Sequence, residues 1–183
     1  PVVIDGYVFV TGANEDSRKV YCFDDDTGTL LWSRIVATAS SAALSGVYPG
    51  QFAGATPATD GVNVYAIFGN GDIAAFDYNG VERWKKSLEA ENPEGHSSSL
   101  LVYGSLVIVQ LDQVWDSDAT SSKSRLIALD TSNGDVVWEH QASDRRTVDS
   151  LASPILINDG TQDLIITCAE GDEYDYDDTG PEL

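Results

Sequence analysis

Along this chain, apolar and polar positions alternate in short runs. No apolar stripe recurs at the ~3.6-residue spacing of a helix over several turns. The runs "YVFV", "NVYAIF", "SLVIVQ" and "DLIIT" are rich in Val, Ile, Tyr and Phe, residues that suit a pleated, half-buried strand. Each is preceded by another apolar run and a glycine turn: "PVVIDG" with Gly6, "TPATDG" with Gly61, "SSLLVYG" with Gly104 and "SPILINDG" with Gly160. A third and fourth strand follow, separated by a turn rich in Asp and Gly. Each unit is therefore predicted to run strand, turn, strand, loop, strand ending at an Asp, turn, strand beginning near a Trp.

The Asp-to-Trp segment repeats. "FDDDTGTLLW" ends at Trp32, "FDYNGVERW" at Trp84 and "LDTSNGDVVW" at Trp138. Each has a large apolar residue (Phe23, Phe76, Leu129) and then Asp24, Asp77 or Asp130. Gly28, Gly80 or Gly134 then stands four residues before the Trp. A fourth copy, "YDYDDTGPEL", carries Tyr176, Asp177 and Gly180 and stops at Leu183, one residue short of the expected Trp. Trp115 is off the pattern. The glycines lie 52, 54 and 46 residues apart, and four strands repeating every ~40–50 residues are the signature of propeller blades. The blades are placed at approximately 1–36, 56–88, 97–142 and 150–183. Asp bonds the backbone ahead of it, and Gly tolerates positive φ, so the pair makes a tight turn. The Trp that follows is expected to cross to the neighbouring blade and bury a large ring there.

Composition narrows the function classes. The 183 residues carry 10 basic and 30 acidic side chains, a formal charge of −20. Such a chain repels phosphate backbones and anionic lipid, which argues against nucleic-acid or membrane binding. Hydrophobic residues at 42% with four Trp, eight Tyr and five Phe argue for a packed protein rather than a disordered acidic one. No run approaches the ~18–20 apolar residues of a membrane span. With no Met and a Pro at position 1, the chain reads as a mature product, a proteolytic piece or an excerpt. Cys22 and Cys168 form no CxxC pattern; pairing between them stays open, and two buried thiols is the reading adopted.

The residues also resemble a known family. The pattern A-x-D-x-x-T-G-x-x-x-W is the tryptophan-docking motif of the pyrroloquinoline-quinone-like (PQQ-like) β-propeller repeats. "YCFDDDTGTLLW" and "IALDTSNGDVVW" match it, and "AAFDYNGVERW" matches with a turn one residue shorter. The resemblance covers essentially the whole chain. It implies an all-β propeller segment of about four four-stranded blades, the last truncated, where such propellers usually have seven or eight. The remaining blades would come from a longer chain or a second copy. "GHSSSLLVYGSLVIVQLDQ" with "SPILIN" is similar to secreted or periplasmic bacterial repeat proteins. The family divides into quinoprotein dehydrogenases, which hold PQQ and calcium on the axis, and cofactor-free scaffolds like the outer-membrane assembly lipoprotein. Adjacent cysteines and a haem-attachment sequence, markers of the dehydrogenases, are absent from these 183 residues. The resemblance thus implies a non-catalytic binding or scaffold module, with a fragment of a PQQ-dependent oxidoreductase as the alternative.

Candidate ligand positions lie on loops expected to enter the innermost strands, at 37–56, 89–98 and 143–153. The first is long, nearly uncharged and rich in Ser, Ala and Gly, suited to contacting a protein partner or small ligand. His96 and Ser98 in "GHSSS" are the first candidates for a bound ligand, and Asp112 in "VQLDQ" is a candidate cofactor or calcium ligand. A hydrolase would need a Ser on a sharp turn with an oriented His and acid. No GxSxG occurs, so no catalytic residue is assigned. The acidic clusters at 24–26 and 170–180 do not match EF-hand spacing. Solvated turns explain them better than a metal site. Addition of millimolar calcium is accordingly expected to leave the thermal midpoint unchanged; a rise of several degrees would assign a cation to one of these clusters.

Overall fold

The computed structural model describes residues 1–14, 16–38, 52–88, 90, 95–113, 124–141 and 152–167. It is built of antiparallel strands. The first sheet takes β1 (Val2–Ile4), β2 (Tyr7–Ala13), β3 (Ser17–Asp24) and β4 (Leu30–Thr38) in chain order. The second takes β5 (Ala58–Thr59), β6 (Asn63–Ile67), β7 (Asp72–Asp77) and β8 (Glu82–Ser87). The third takes β9 (Leu101–Tyr103), β10 (Leu106–Leu111), β11 (Arg125–Asp130) and β12 (Val136–Gln141). Of the fourth, the described residues supply one hairpin, β13 (Ile155–Asn158) with β14 (Asp163–Ile166). Asp177, Gly180 and Cys168 lie outside the described residues.

Blade 2 shows why the sheets stack. Both of its middle strands are buried on both faces, so their alternating side chains serve two separate cores. Val64, Ala66, Ala74 and Phe76 meet Phe9, Val20, Cys22, Trp32 and Val36 of blade 1. The intervening Tyr65, Ile67, Ile73 and Ala75 meet Val107, Val109, Leu111, Ile127 and Leu129 of blade 3. Cys22 is a fully buried thiol, and burial pushes its pKa up to about 11.

The repeated turns are built alike. Asp24 Oδ1 accepts the Thr27 N–H at 2.8 Å and the Thr27 hydroxyl at 2.6 Å. Asp77 Oδ1 accepts the N–H groups of Asn79 and Val81, and Asp130 Oδ1 that of Ser132. Gly28, Gly80 and Gly134 each donate their N–H back to the Asp carbonyl, at φ of +66°, +78° and +72°. These bonds hold Asp24 and Asp130 below the usual carboxylate range, led in each case by the hydroxyl, of Thr27 and Ser132 respectively.

In every complete sheet the register between the third and fourth strands shifts at the same place. The shifts fall at Cys22/Phe23, Ala75/Phe76 and Ala128/Leu129, immediately beside the residue paired with the Trp. A bulge re-aims the side chain that follows it. Here it turns Trp32 and Trp84 out of their own blades onto the next.

Trp32 donates its indole N–H to the Tyr78 carbonyl at 2.8 Å, and Trp84 donates to the Thr131 carbonyl at 2.9 Å. Each ring lies on the turn glycine of the following blade. A Cβ at Gly80 would stand 2.8 Å from the Trp32 ring, and one at Gly134 would stand 2.6 Å from Trp84. The glycine is therefore required twice, for its φ and for the ring lying against it.

Trp84, 7% exposed, joins blades 2 and 3, whereas Trp138 is only partly buried. Trp84→Ala is expected to cost about 3–5 kcal/mol, the range for truncating a large buried aromatic, and Trp138→Ala clearly less. Gly134→Ala should likewise exceed Gly61→Ala, since Gly61 also has positive φ but open space around its Cβ position. Urea midpoints of the four variants test the joint; equal losses within either pair would remove it.

Candidate functional site

The strands give the molecule two chemically different ends. The first-to-second hairpins and the docking turns share one end: the Asp25 N–H donates to the Gly6 carbonyl, and that of Thr131 to the Ser105 carbonyl. The opposite end carries the second-to-third connections and the segments between blades. Among the described residues, the buried polar or charged side chains are Arg18, His96, Ser98, Gln110, Asp112, Gln113 and Ser124. All of them lie at this second end. Buried polar groups need partners, so their clustering marks the end where backbone leaves the regular ladders.

Three hydroxyl residues lace the inner strands there. Thr56, Ser99 and Ser153 each stand two residues before β5, β9 and β13. The Thr56 N–H donates to Ser99 Oγ at 3.0 Å, and the Ser99 N–H donates to Ser153 Oγ at 2.9 Å. The inner strands of blades 2 and 3 thus each start with a hydrogen bond to the next blade. Thr56 and Ser153 open "TP" and "SP", whereas Ser99 precedes Leu100, so the pairing is not readable from the sequence. The segment before Thr56 is tied down as well: the Thr11 hydroxyl donates to the Ala53 and Ala55 carbonyls, and the Phe52 carbonyl accepts the Gly69 N–H.

His96 and Ser98 come together on the segment between blades 2 and 3. The His96 N–H donates to the Gly69 carbonyl at 2.8 Å, and Nε2 lies 2.8 Å from the Ser98 carbonyl. A carbonyl only accepts, so Nε2 carries the proton and Nδ1 keeps its lone pair. Burial pushes the imidazole down to about 4, against the opposing pull of the Ser98 carbonyl, and the ring is neutral at pH 7. Ser98 is 2% exposed and its Oγ has no hydrogen-bond partner among the described residues. His96 therefore does not activate Ser98, and the pair offers recognition rather than proton transfer.

Asp112 lies at the end of β10, where its Oδ2 accepts the Gln110 amide at 2.9 Å. The neighbouring Gln113 N–H donates to Ser124 Oγ at 2.9 Å. Among the described residues no group of His, Cys, Asp and Glu gathers as a metal site. Arg18 is the residue that motif reading passes over. It occupies a core-facing position of β3, alternating with Val20 and Cys22, and is 1% exposed. Among the described residues its Nε and Nη1 lack hydrogen-bond partners, and Asp72 of blade 2 supplies opposing charge. The signal was a cation falling on the inward phase of a period-two strand.

The folded-state pKa of His96 lies below its unfolded value of 6.5. The unfolded chain therefore binds a proton first, and stability is lost as pH falls from about 6.5 towards 4. Linkage over that interval amounts to about 3 kcal/mol. His96→Gln is expected to flatten thermal midpoint against pH between 6.5 and 4. An unchanged profile would mean that the ring is accessible to protons in the folded state.

Comparison with known proteins places this geometry. A family model described as outer membrane protein assembly factor BamB matches residues 1–173. No curated protein matches the sequence. Quinohemoprotein alcohol dehydrogenase from Comamonas testosteroni superposes with a TM-score of 0.54 at 21% identity, over 77% of this chain and 20% of that one. BamB from Moraxella catarrhalis superposes with a TM-score of 0.53 at 21% identity, over 79% of this chain and 38% of that one. A europium-containing methanol dehydrogenase gives 0.52 at 20% identity, over 78% and 24%. The chain thus spans well under half the length of these structures, and at such identities the likeness concerns fold alone. Its antiparallel blades, docking turns and family match together make the chain a member of the BamB/PQQ-like β-propeller repeat family.

Proposed function

We propose that this chain is a non-catalytic binding module, a rigid stack of blades whose loop end recognises a protein partner or a small ligand in the bacterial periplasm or outside the cell. One observation carries the reading: the most reactive-looking pair at the loop end, His96 and Ser98, is arranged without proton transfer between its members. The imidazole Nε2 is engaged with the Ser98 carbonyl, and the buried Ser98 hydroxyl has no hydrogen-bond partner among the described residues. The docking turns at the other end are occupied in joining blades. Recognition then works through side chains that the blades hold in place at this end, such as His96 and Gln113, which lowers the ordering cost of binding. The match to the BamB family supports the scaffold class and the periplasmic location.

The structural likeness to quinoprotein dehydrogenases keeps a second reading in play, in which the chain is part of a PQQ- and calcium-binding ring with His96, Ser98 and Asp112 near the cofactor. Titration with pyrroloquinoline quinone and calcium, followed by Trp fluorescence, separates the two. The expected result is no saturable quenching. Quenching that saturates near one equivalent, and is lost in His96→Gln with Asp112→Asn, would replace the scaffold with the quinoprotein.

A further inference from the structure

We propose that Asn79 and Asn133, in the docking turns of blades 2 and 3, are self-deamidation sites that the blade joints hold shut. The proposal concerns a covalent modification and is independent of what the loop end binds.

Asn stands immediately before Gly three times in the chain, at 70–71, 79–80 and 133–134. An Asn in this position is prone to lose its side-chain amide, because glycine has no side chain to hinder attack by its own nitrogen. The three steps share a setting. Gly71, Gly80 and Gly134 all have positive φ and are buried. The positive-φ glycines with open space at the Cβ position, Gly6, Gly28, Gly61, Gly104 and Gly160, are all exposed. Asp5, Thr27, Asp60, Tyr103 and Asp159 precede those five, and Asn precedes none of them. The reactive pair thus stands where the structure covers the glycine.

In the reaction, the glycine nitrogen gives up its proton and its electron pair attacks Cγ of the asparagine. A new N–Cγ bond closes a succinimide ring, and the side-chain amide nitrogen leaves with that proton as ammonia. Water then opens the ring at one of its two carbonyls. The product is aspartate or, with the main chain rerouted through the side-chain methylene, isoaspartate.

The folded turns oppose the first step. The Gly80 N–H donates to the Asp77 carbonyl at 2.9 Å and the Gly134 N–H to the Asp130 carbonyl at 2.8 Å, so neither nitrogen is free to attack. The peptide must also rotate to bring the nitrogen onto Cγ, and an indole stands in the way. Ring atoms of Trp32 lie 2.8 Å from the Cβ position of Gly80, and those of Trp84 lie 2.6 Å from that of Gly134. Arg34 adds a second hold, donating to the Gly80 carbonyl at 2.7 Å. The amides themselves are at the surface: Asn79 and Asn133 are exposed. Asn133 Oδ1 accepts the Asp135 N–H at 2.8 Å, a bond that draws electron density from Cγ. Each site is therefore held shut by the indole and the turn hydrogen bond rather than by exclusion of water. Isoaspartate would add a methylene to the main chain inside the turn, which then no longer fits beneath the ring.

Asn70 serves as an internal reference. The Gly71 N–H is likewise donated, to the Phe68 carbonyl at 2.8 Å, but the step lies between β6 and β7, at the opposite end of the blade from the joints.

The test holds the 183-residue chain at neutral pH and follows each Asn-Gly step by peptide mass spectrometry, with isoaspartyl methyltransferase labelling to identify isoaspartate. The same chain unfolded in urea gives the rates of the open turns. Asn79 and Asn133 are expected to deamidate far more slowly folded than in urea. Trp84→Ala is expected to speed Asn133 on the order of tenfold or more, because a reaction of the open state follows its population. Asn79 and Asn70 should stay at the parent rate. Trp32→Ala should do the converse, speeding Asn79 alone. Where an alanine variant fails to fold, Trp84→Phe and Trp32→Phe keep a smaller ring over the glycine and carry the same site-selective expectation. Folded-chain rates equal to those in urea would overturn the proposal, as would Trp variants that speed all three sites alike or none.

Discussion

Everything in this architecture rests on an indole lying flat against a glycine of the next blade. A four-stranded blade has two apolar faces and cannot cover either by itself, so its stability comes from its neighbours. The Trp supplies a large buried area and one directed hydrogen bond. The glycine supplies the space and the turn. Aromatic neighbours complete the seat: Phe9 and Phe76 lie 5.9 Å and 6.1 Å from Trp32, and Tyr65 lies 5.9 Å from Trp84. Arg34 extends the first joint, stacking 5.6 Å over Trp32 while donating to the Gly80 carbonyl. The second joint gains an ion pair between Lys86 and Asp135 instead. The two seats share the indole and glycine and differ in the charged residues at the edge, where solvent screens their contribution.

With one end of the blades committed to these joints, the other is free to carry polar groups at depth. Thr56, Ser99 and Ser153 link the inner strands, and His96, Ser98, Asp112 and Arg18 lie buried at the same end of the blades. A neutral imidazole, an unbonded hydroxyl and a guanidinium with incomplete hydrogen bonding share one end of the fold. That end has been built to tolerate polarity, and its charge state is set by burial more than by neighbouring ions.

How far the sequence discloses this depends on the range of the interaction. The Asp, Gly and Trp of each repeat are three to eight residues apart and turn chemistry demands the first two, so the blades are readable directly. The joints themselves, Trp32 on Gly80 and Trp84 on Gly134, are legible only because the motif recurs. The bulge before each Trp is not, because "LLW", "ERW" and "VVW" look like uninterrupted strand; the extra residue shows only in the pairing register. The hydroxyl ladder links residues 43 and 54 positions apart, and no local pattern encodes such a partnership. His96 and Ser98 are recognisable as polar residues beside an inner strand, but their bond to each other and the lack of a partner for Ser98 Oγ follow from packing. Arg18 was legible in principle through the phase of "RKVYCF", yet a charged residue at the start of a strand reads more naturally as exposed.

The joint is also directional. Each blade gives through its fourth strand on one face and receives through its docking turn on the other, so the contact is heterologous rather than self-complementary. A unit of this kind can be copied in tandem without redesigning either surface, since the copy arrives with one half of each joint already in place. Duplication therefore lengthens such a chain with little structural penalty, and small changes in the angle between blades decide the number at which the array meets itself. The 52- and 54-residue spacings of the first three glycines, with loops absorbing the difference, are what an array grown by copying would retain.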